Sequence, residues 1–192
     1  MFENPLIWII VGVGVVAILV LFAVVVYNRL IGRRVEKDNA WSQIDVQLKR
    51  RYDLIPNLVE TVKGYAKHEQ ETLERVIKAR NQALQAPTVS EKAVAEQQLT
   101  TAVRGLLAIA EAYPDLKANQ NFLSLQEELT ATENRIGFAR QHYNDVVSQY
   151  NTALLTFPAN IVGSMFGFRP ADFFQVEAAE AAAVREAPKV KF

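Results

Sequence analysis

The sequence predicts an all-α protein: an N-terminal transmembrane helix followed by a long antiparallel helical bundle with coiled-coil-like packing. Three observations carry this reading. From Leu6 to Tyr27 the chain holds no charged residue. Beyond Arg34 the apolar residues recur every three or four positions, the period of a helix face, and no stretch sustains the two-residue alternation of a half-buried strand. Proline or glycine marks the joints between the periodic segments.

The apolar segment comes first. As a helix rising about 1.5 Å per residue, it matches the roughly 30 Å hydrocarbon core of a bilayer. Trp8 and Tyr27 stand near its two ends, where amphipathic rings favour the interface. A cleaved signal peptide would show a basic start and a small-residue cleavage site. Here the start carries Glu3, and the run closes on Val24-Val25-Val26-Tyr27, so residues 1–28 read as an uncleaved anchor. Arg29, Arg33, Arg34 and Lys37 follow the span and no lysine or arginine precedes it. The positive-inside rule then predicts a single-pass protein of the bacterial cytoplasmic (inner) membrane, with its N-terminus outside and its body in the cytoplasm. Gly12, Gly14 and Ala17 match a dinucleotide-binding spacing, but that chemistry needs a tight turn at a helix start, and these residues lie in mid-span.

The body, residues 29–158, reads as four helices. In the first, Trp41, Ile44, Leu48, Arg51, Ile55, Leu58, Val62 and Tyr65 form a seam that Pro56 interrupts and should kink. The second, near residues 67–85, presents Leu73, Val76, Ile77, Arg80 and Leu84. Thr88 and Glu91 match a capping box that opens the third, which carries Leu99, Val103, Leu106, Ala110 and Tyr113. The fourth begins after Pro114-Asp115. Its seam runs Phe122, Leu125, Leu129, Thr132, Ile136, Ala139, Tyr143, Val146, Tyr150, Ala153 and Phe157, a 3.5-residue repeat that predicts a left-handed supercoil ending at Pro158. An alternative keeps the first two helices continuous through Gly64, giving three longer arms.

Charge and composition narrow the function. Lysine plus arginine equal aspartate plus glutamate, at 21 each in 192 residues, so the chain lacks the basic surplus that nucleic acid demands. There is no cysteine, hence no disulfide or thiol chemistry. Neither His68 nor His142 has a glutamate three residues before it, as a bundle di-iron site requires. No Ser–His–acid spacing or glycine elbow is present. The sequence is therefore read as that of a non-enzyme with no metal, no cofactor and no small-molecule substrate.

Two features remain as candidate interaction sites. Glu133, Arg140, Asn144 and Asn151, at offsets 0, 7, 11 and 18, share about 40° of one helix face. This polar stripe reads as buried hydrogen bonding that fixes helix register, or as a contact line for a partner helix or ligand. Arg51 breaks the first seam and needs a carboxylate, such as Glu133, because an unpaired buried arginine is costly. The second feature is the segment PANIVGSMFGFRPADFF, residues 158–174, whose aromatics, Phe166 and Phe168 among them, must dock on the bundle, another subunit or the membrane surface. Residues 159–192 are set apart as this aromatic segment and a tail able to extend a helix to about Glu186.

The stretch RRYDLIPNLVETVKGYAKHE, with the preceding AWSQIDVQLK, resembles the LemA family of bacterial membrane-anchored helical proteins. So do EAYPDLKANQNFLSLQEEL and TENRIGFARQHYNDVVSQYNTALLTFP. The resemblance runs from about Tyr27 to Phe174. It implies a membrane-tethered all-α bundle and brings no catalytic activity, cofactor or agreed substrate. Family context points to membrane stress, membrane-protein quality control and organelle-like membrane compartments. The reading that follows is a self-associating scaffold or adaptor on the bilayer, organising partner proteins or the membrane surface. The alternative is an accessory or regulatory subunit of a membrane enzyme, such as a protease in envelope quality control. A bundle with its own catalytic activity ranks third.

Overall fold

A computed structural model describes residues 5–66 and 68–175, and the C-terminal tail, with its expected helical extension, lies outside them. Among the described residues the secondary structure is entirely helical: α1 (Pro5–Tyr65), α2 (Gln70–Gln85), α3 (Val89–Ile109), a 3-10 turn (Ala110–Ala112), α4 (Pro114–Lys117), α5 (Gln120–Leu155) and α6 (Ala159–Met165). The anchor and the first body helix are one uninterrupted helix of 61 residues. The apolar run and Tyr27 therefore lead straight into the body, and the part up to Val25 that faces no protein partner is exposed, as suits a span covered by lipid.

The chain breaks after Tyr65, so the three-arm alternative does not hold and four long helices alternate in direction. Two compact units result. One combines the chain up to Ala40 with Asp145–Ala171; the other combines Trp41–Asn144 with the chain from Asp172. The helices α1 and α5 each contribute to both.

In the second unit, Ile44, Leu48, Ile55, Leu58 and Val62 of α1 are fully buried. Leu73 and Val76 of α2, Leu99 and Leu106 of α3, and Phe122, Leu129 and Ile136 of the α5 seam are buried too. The joints follow their sequence chemistry. Thr88 Oγ1 accepts from the Glu91 amide (3.2 Å) while Glu91 Oε2 accepts from the Thr88 amide (3.3 Å), the reciprocal box that starts α3.

Pro56 sits inside α1 without ending it. Proline has no N–H, so the carbonyl one turn back, that of Tyr52, loses its helical donor. Arg80 of α2 replaces it, with Nε donating to the Tyr52 oxygen at 2.8 Å.

Three seam positions depart from expectation. Leu84 is exposed and Ala83 is buried in its place, because α2 turns a face of Leu73, Val76, Ala79 and Ala83 inward. Tyr65 is also exposed, its hydroxyl accepting from Asn119 Nδ2 at 2.9 Å. Phe157 lies beyond the end of α5 and is 79% exposed.

In the first unit a smaller core joins Leu30 of α1 to Tyr150 and Leu154 of α5, with Val26, Ala153, Ala159 and Phe168 packed against it. Gly163 of α6 permits the close approach. A Cβ there would lie 3.1 Å from a Leu154 methyl.

Candidate functional site

The candidate residues fall into three local arrangements. The first is a buried polar network in the second unit. Arg51, only 4% exposed, directs Nη1 to Glu96 Oε2 (3.0 Å) and Glu133 Oε2 (3.2 Å), and donates through Nη2 to Thr100 Oγ1 (2.8 Å). Glu133 is thus the expected partner, but Glu96 of α3 is the more deeply buried one. The Tyr52 hydroxyl donates to Glu96 Oε1. Burial pushes the Glu96 carboxyl above its usual range, against the hydrogen bond from Tyr52 and the positive charge of Arg51. Burial and the neighbouring Glu96 likewise raise the Tyr52 hydroxyl, which keeps it a donor. The network ties α1, α3 and α5 together through one guanidinium, whose planar fork serves several acceptors at once.

The second arrangement is the destination of the polar stripe on α5. In the first unit Asn151 pairs with the backbone of Ala171 in both directions, Nδ2 to the carbonyl at 2.9 Å and Oδ1 from the amide at 2.8 Å. Beside it, the Tyr150 hydroxyl donates to the Arg169 carbonyl at 3.1 Å. In the second unit the same pattern recurs: Asn144 accepts from the Phe174 amide at 2.9 Å and donates to its carbonyl at 3.4 Å, while the Tyr143 hydroxyl donates to the Asp172 carbonyl at 3.0 Å. A side-chain amide here does for an extended segment what a neighbouring strand would do. The stripe therefore holds the chain's own C-terminal segment. Arg140 is exposed and takes no part.

The third arrangement concerns the aromatic segment. Phe166 and Phe168 both meet the Tyr27 ring, at centroid distances of 4.8 and 5.7 Å. In the second unit, Phe174 is buried against Trp41 at 5.6 Å, and Trp41 also meets Tyr143 at 5.4 Å. Part of the segment thus docks on the protein. Ile161 and Met165 of α6 remain exposed, as does Phe157 just before the segment, and Phe166 stays largely exposed despite its contact with Tyr27. Tyr27 closes the apolar run, so the docked rings of Phe166 and Phe168 lie against its end.

Sequence reasoning missed Glu96, Tyr52 and Thr100. The signal was present in part, since Glu96 stands three residues before Leu99 on the inward face of α3. It also passed over the repeat itself, although HYNDVVSQYN spells the pair twice. His68 and His142 both lie exposed.

These features define an all-α protein whose N-terminal apolar helix fits a membrane anchor. The LemA family model matches residues 40–192. The chain belongs to the LemA family. That match begins later than the resemblance at Tyr27 and continues past Phe174 through the tail. Similar proteins include Protein LemA of Metamycoplasma hominis, 27% identical over 154 residues, a match covering 80% of this chain and 70% of that protein. Magnetosome protein MamQ 2 of Paramagnetospirillum magneticum is 23% identical over 175 residues, covering 78% of this chain and 64% of that one. Magnetosome protein MamQ of Magnetospirillum gryphiswaldense is 21% identical over 174 residues, covering 77% and 64% respectively. The chain spans just under two thirds of the length of these magnetosome relatives.

Proposed function

We propose that this protein is a membrane-anchored, non-catalytic scaffold or adaptor that self-associates and organises partner proteins or the membrane surface. The supporting observation is a groove in the second unit between α1 and α5. Val46 and Phe138 line it, both largely exposed, Phe138 at 75%. Gln47 lines it as well, with its side-chain oxygen buried and lacking a donor. Apolar side chains held outward beside an unmatched acceptor are what a helix-on-helix contact would complete. The bundle, on this reading, works in the cytoplasm against the inner membrane.

Particle mass in mild detergent tests it. A defined homo-oligomer that Phe138→Ser converts to monomer, with helicity intact, is the expected result. A wild-type chain that is monomeric at all concentrations overturns self-association and favours the accessory-subunit reading.

A further inference from the structure

Beside the anchor's end, the first unit contains a second groove of about 580 Å³, within the range typical of small-molecule sites. One wall is a single stripe of α1: Phe22, Val25 and Val26, then Arg29, Leu30 and Arg33. The other wall is the end of α5 and the start of α6. Because α5 runs opposite to α1, the two walls change character in the same direction. Phe157, Pro158 and Ala159 belong to the end of Phe22 and Val25, while Ser148, Gln149 and Thr152 belong to the end of Arg29 and Arg33. The register is fixed by Arg33 Nη1 donating to Gln149 Oε1 at 2.7 Å and by Leu30 packing on Leu154. The groove is thus greasy towards the hydrocarbon and hydroxyl-rich and basic towards the headgroups.

Its charge is one-sided. None of the fourteen lining residues is acidic. Glu36, outside the groove, takes one contact from Arg33 at 3.1 Å. Arg29 is exposed and makes no hydrogen bond or ion pair among the described residues. From this gradient, charge and position we infer that the groove is a binding site for one anionic phospholipid, its phosphate on Arg29 and Arg33 and an acyl chain along Phe22, Val25 and Phe157. Planar guanidinium groups suit phosphate oxygens, and the hydroxyls of Ser148 and Thr152 are placed for the ester and glycerol oxygens. The inference rests on the anchor reading, since only a chain in the bilayer would present this groove to lipid.

The test uses the full chain in nanodiscs or mild detergent, with phosphatidylglycerol and phosphatidylcholine as probes and native mass spectrometry as readout. Carbonate extraction of membranes is run alongside, so that loss of anchoring is scored separately from loss of lipid. The expected result is one tightly retained phosphatidylglycerol per chain, preferred over phosphatidylcholine. Arg29→Gln with Arg33→Gln should weaken it roughly tenfold or more, as for lost charge-assisted hydrogen bonds. Arg34→Gln, on the same flank but outside the groove, should leave retention unchanged. Ala153→Phe, which fills the groove and keeps every charge, should abolish it. Equal losses from Arg34→Gln and from the Arg29/Arg33 pair would overturn the site in favour of diffuse surface attraction. Full retention by Ala153→Phe would overturn it equally. Displacement of the lipid by millimolar inorganic phosphate would reassign the arginines to a free anion. Retention at background level by a chain that resists carbonate extraction would refute the lipid site and leave the anchor standing.

Discussion

At the scale of single residues, Glu96 is where charge and burial conflict most. Its carboxyl is raised chiefly by desolvation, so the folded state binds its proton more tightly than the unfolded chain does. Its contribution to stability is complete below the ordinary carboxylate pKa, about 4.3, and is lost as pH climbs towards the raised folded value. Glu96→Gln has no such dependence. In urea melts across a pH series, the wild type should lose stability relative to Glu96→Gln as pH rises from about 4 towards neutrality. A constant difference would show that Tyr52 and Arg51 cancel desolvation, and a relative gain in wild-type stability as pH rises would show that they outweigh it. The asparagines make a separate prediction. Asn151→Ala removes both bonds to Ala171 and Asn144→Ala both bonds to Phe174, each change costing about 1–3 kcal/mol. Hydrogen exchange should accelerate at the Ala171 amide in the first variant and at the Phe174 amide in the second. Acceleration across the whole bundle would mean that these residues support the core rather than the C-terminal segment. That Arg51 needed a carboxylate was legible, because a charge in a seam demands one. Glu133 was a candidate for that role and lies 3.2 Å away, whereas Glu96 was not foreseen, since it stands on another helix and sequence spacing says nothing of distance between helices.

At the scale of elements, the α1–α2 pair couples a backbone defect to a side-chain repair. The 3.5-residue seam identified the buried face of α1 on both sides of Pro56, and Arg80 was visible on the inward face of α2. Their relation was not visible, because a proline reports a missing donor without naming its substitute. Arg80→Met should leave the Tyr52 carbonyl without a partner and cost about 1–3 kcal/mol. Pro56→Ala restores the N–H, so in that background Arg80→Met should cost distinctly less. A double-mutant cycle on thermal or urea unfolding measures the coupling, and additive effects would sever the proposed link. The α5 seam gives a cruder check: Ile136→Asp places a charge at a buried position and should cost several kcal/mol, enough to unfold the bundle. Leu84→Asp, at a position the periodicity placed inward and the structure places outward, should be nearly silent. The difference arises because Leu84 and Ala83 lie 100° apart on α2, and periodicity in a short helix fixes the centre of its apolar face only loosely.

At the scale of the whole chain, the remaining question is which side of the membrane the body occupies. The apolar span is followed within three turns by Arg29, Arg33, Arg34 and Lys37. Some of that charge is compensated locally, Arg33 by Glu36 at 3.1 Å and Lys37 by Asp38 at 2.8 Å. Acidic residues count little in the positive-inside rule, so the four cations still argue for retention of this flank in the cytoplasm. Moving any one of them across against the membrane potential costs about 2.3 kcal/mol per 100 mV, and the four together make inversion unfavourable. Protease added to spheroplasts should therefore leave the body intact and digest it only after the membrane is breached. Glu3→Lys and Asn4→Lys combined with serine at Arg29, Arg33 and Arg34 reverse the asymmetry, and in that variant the body should become accessible in intact spheroplasts. Digestion of the wild-type body before lysis would place α2–α5 outside, and with them the surface of Val46 and Phe138, so that any partner would have to be sought in the envelope rather than in the cytoplasm.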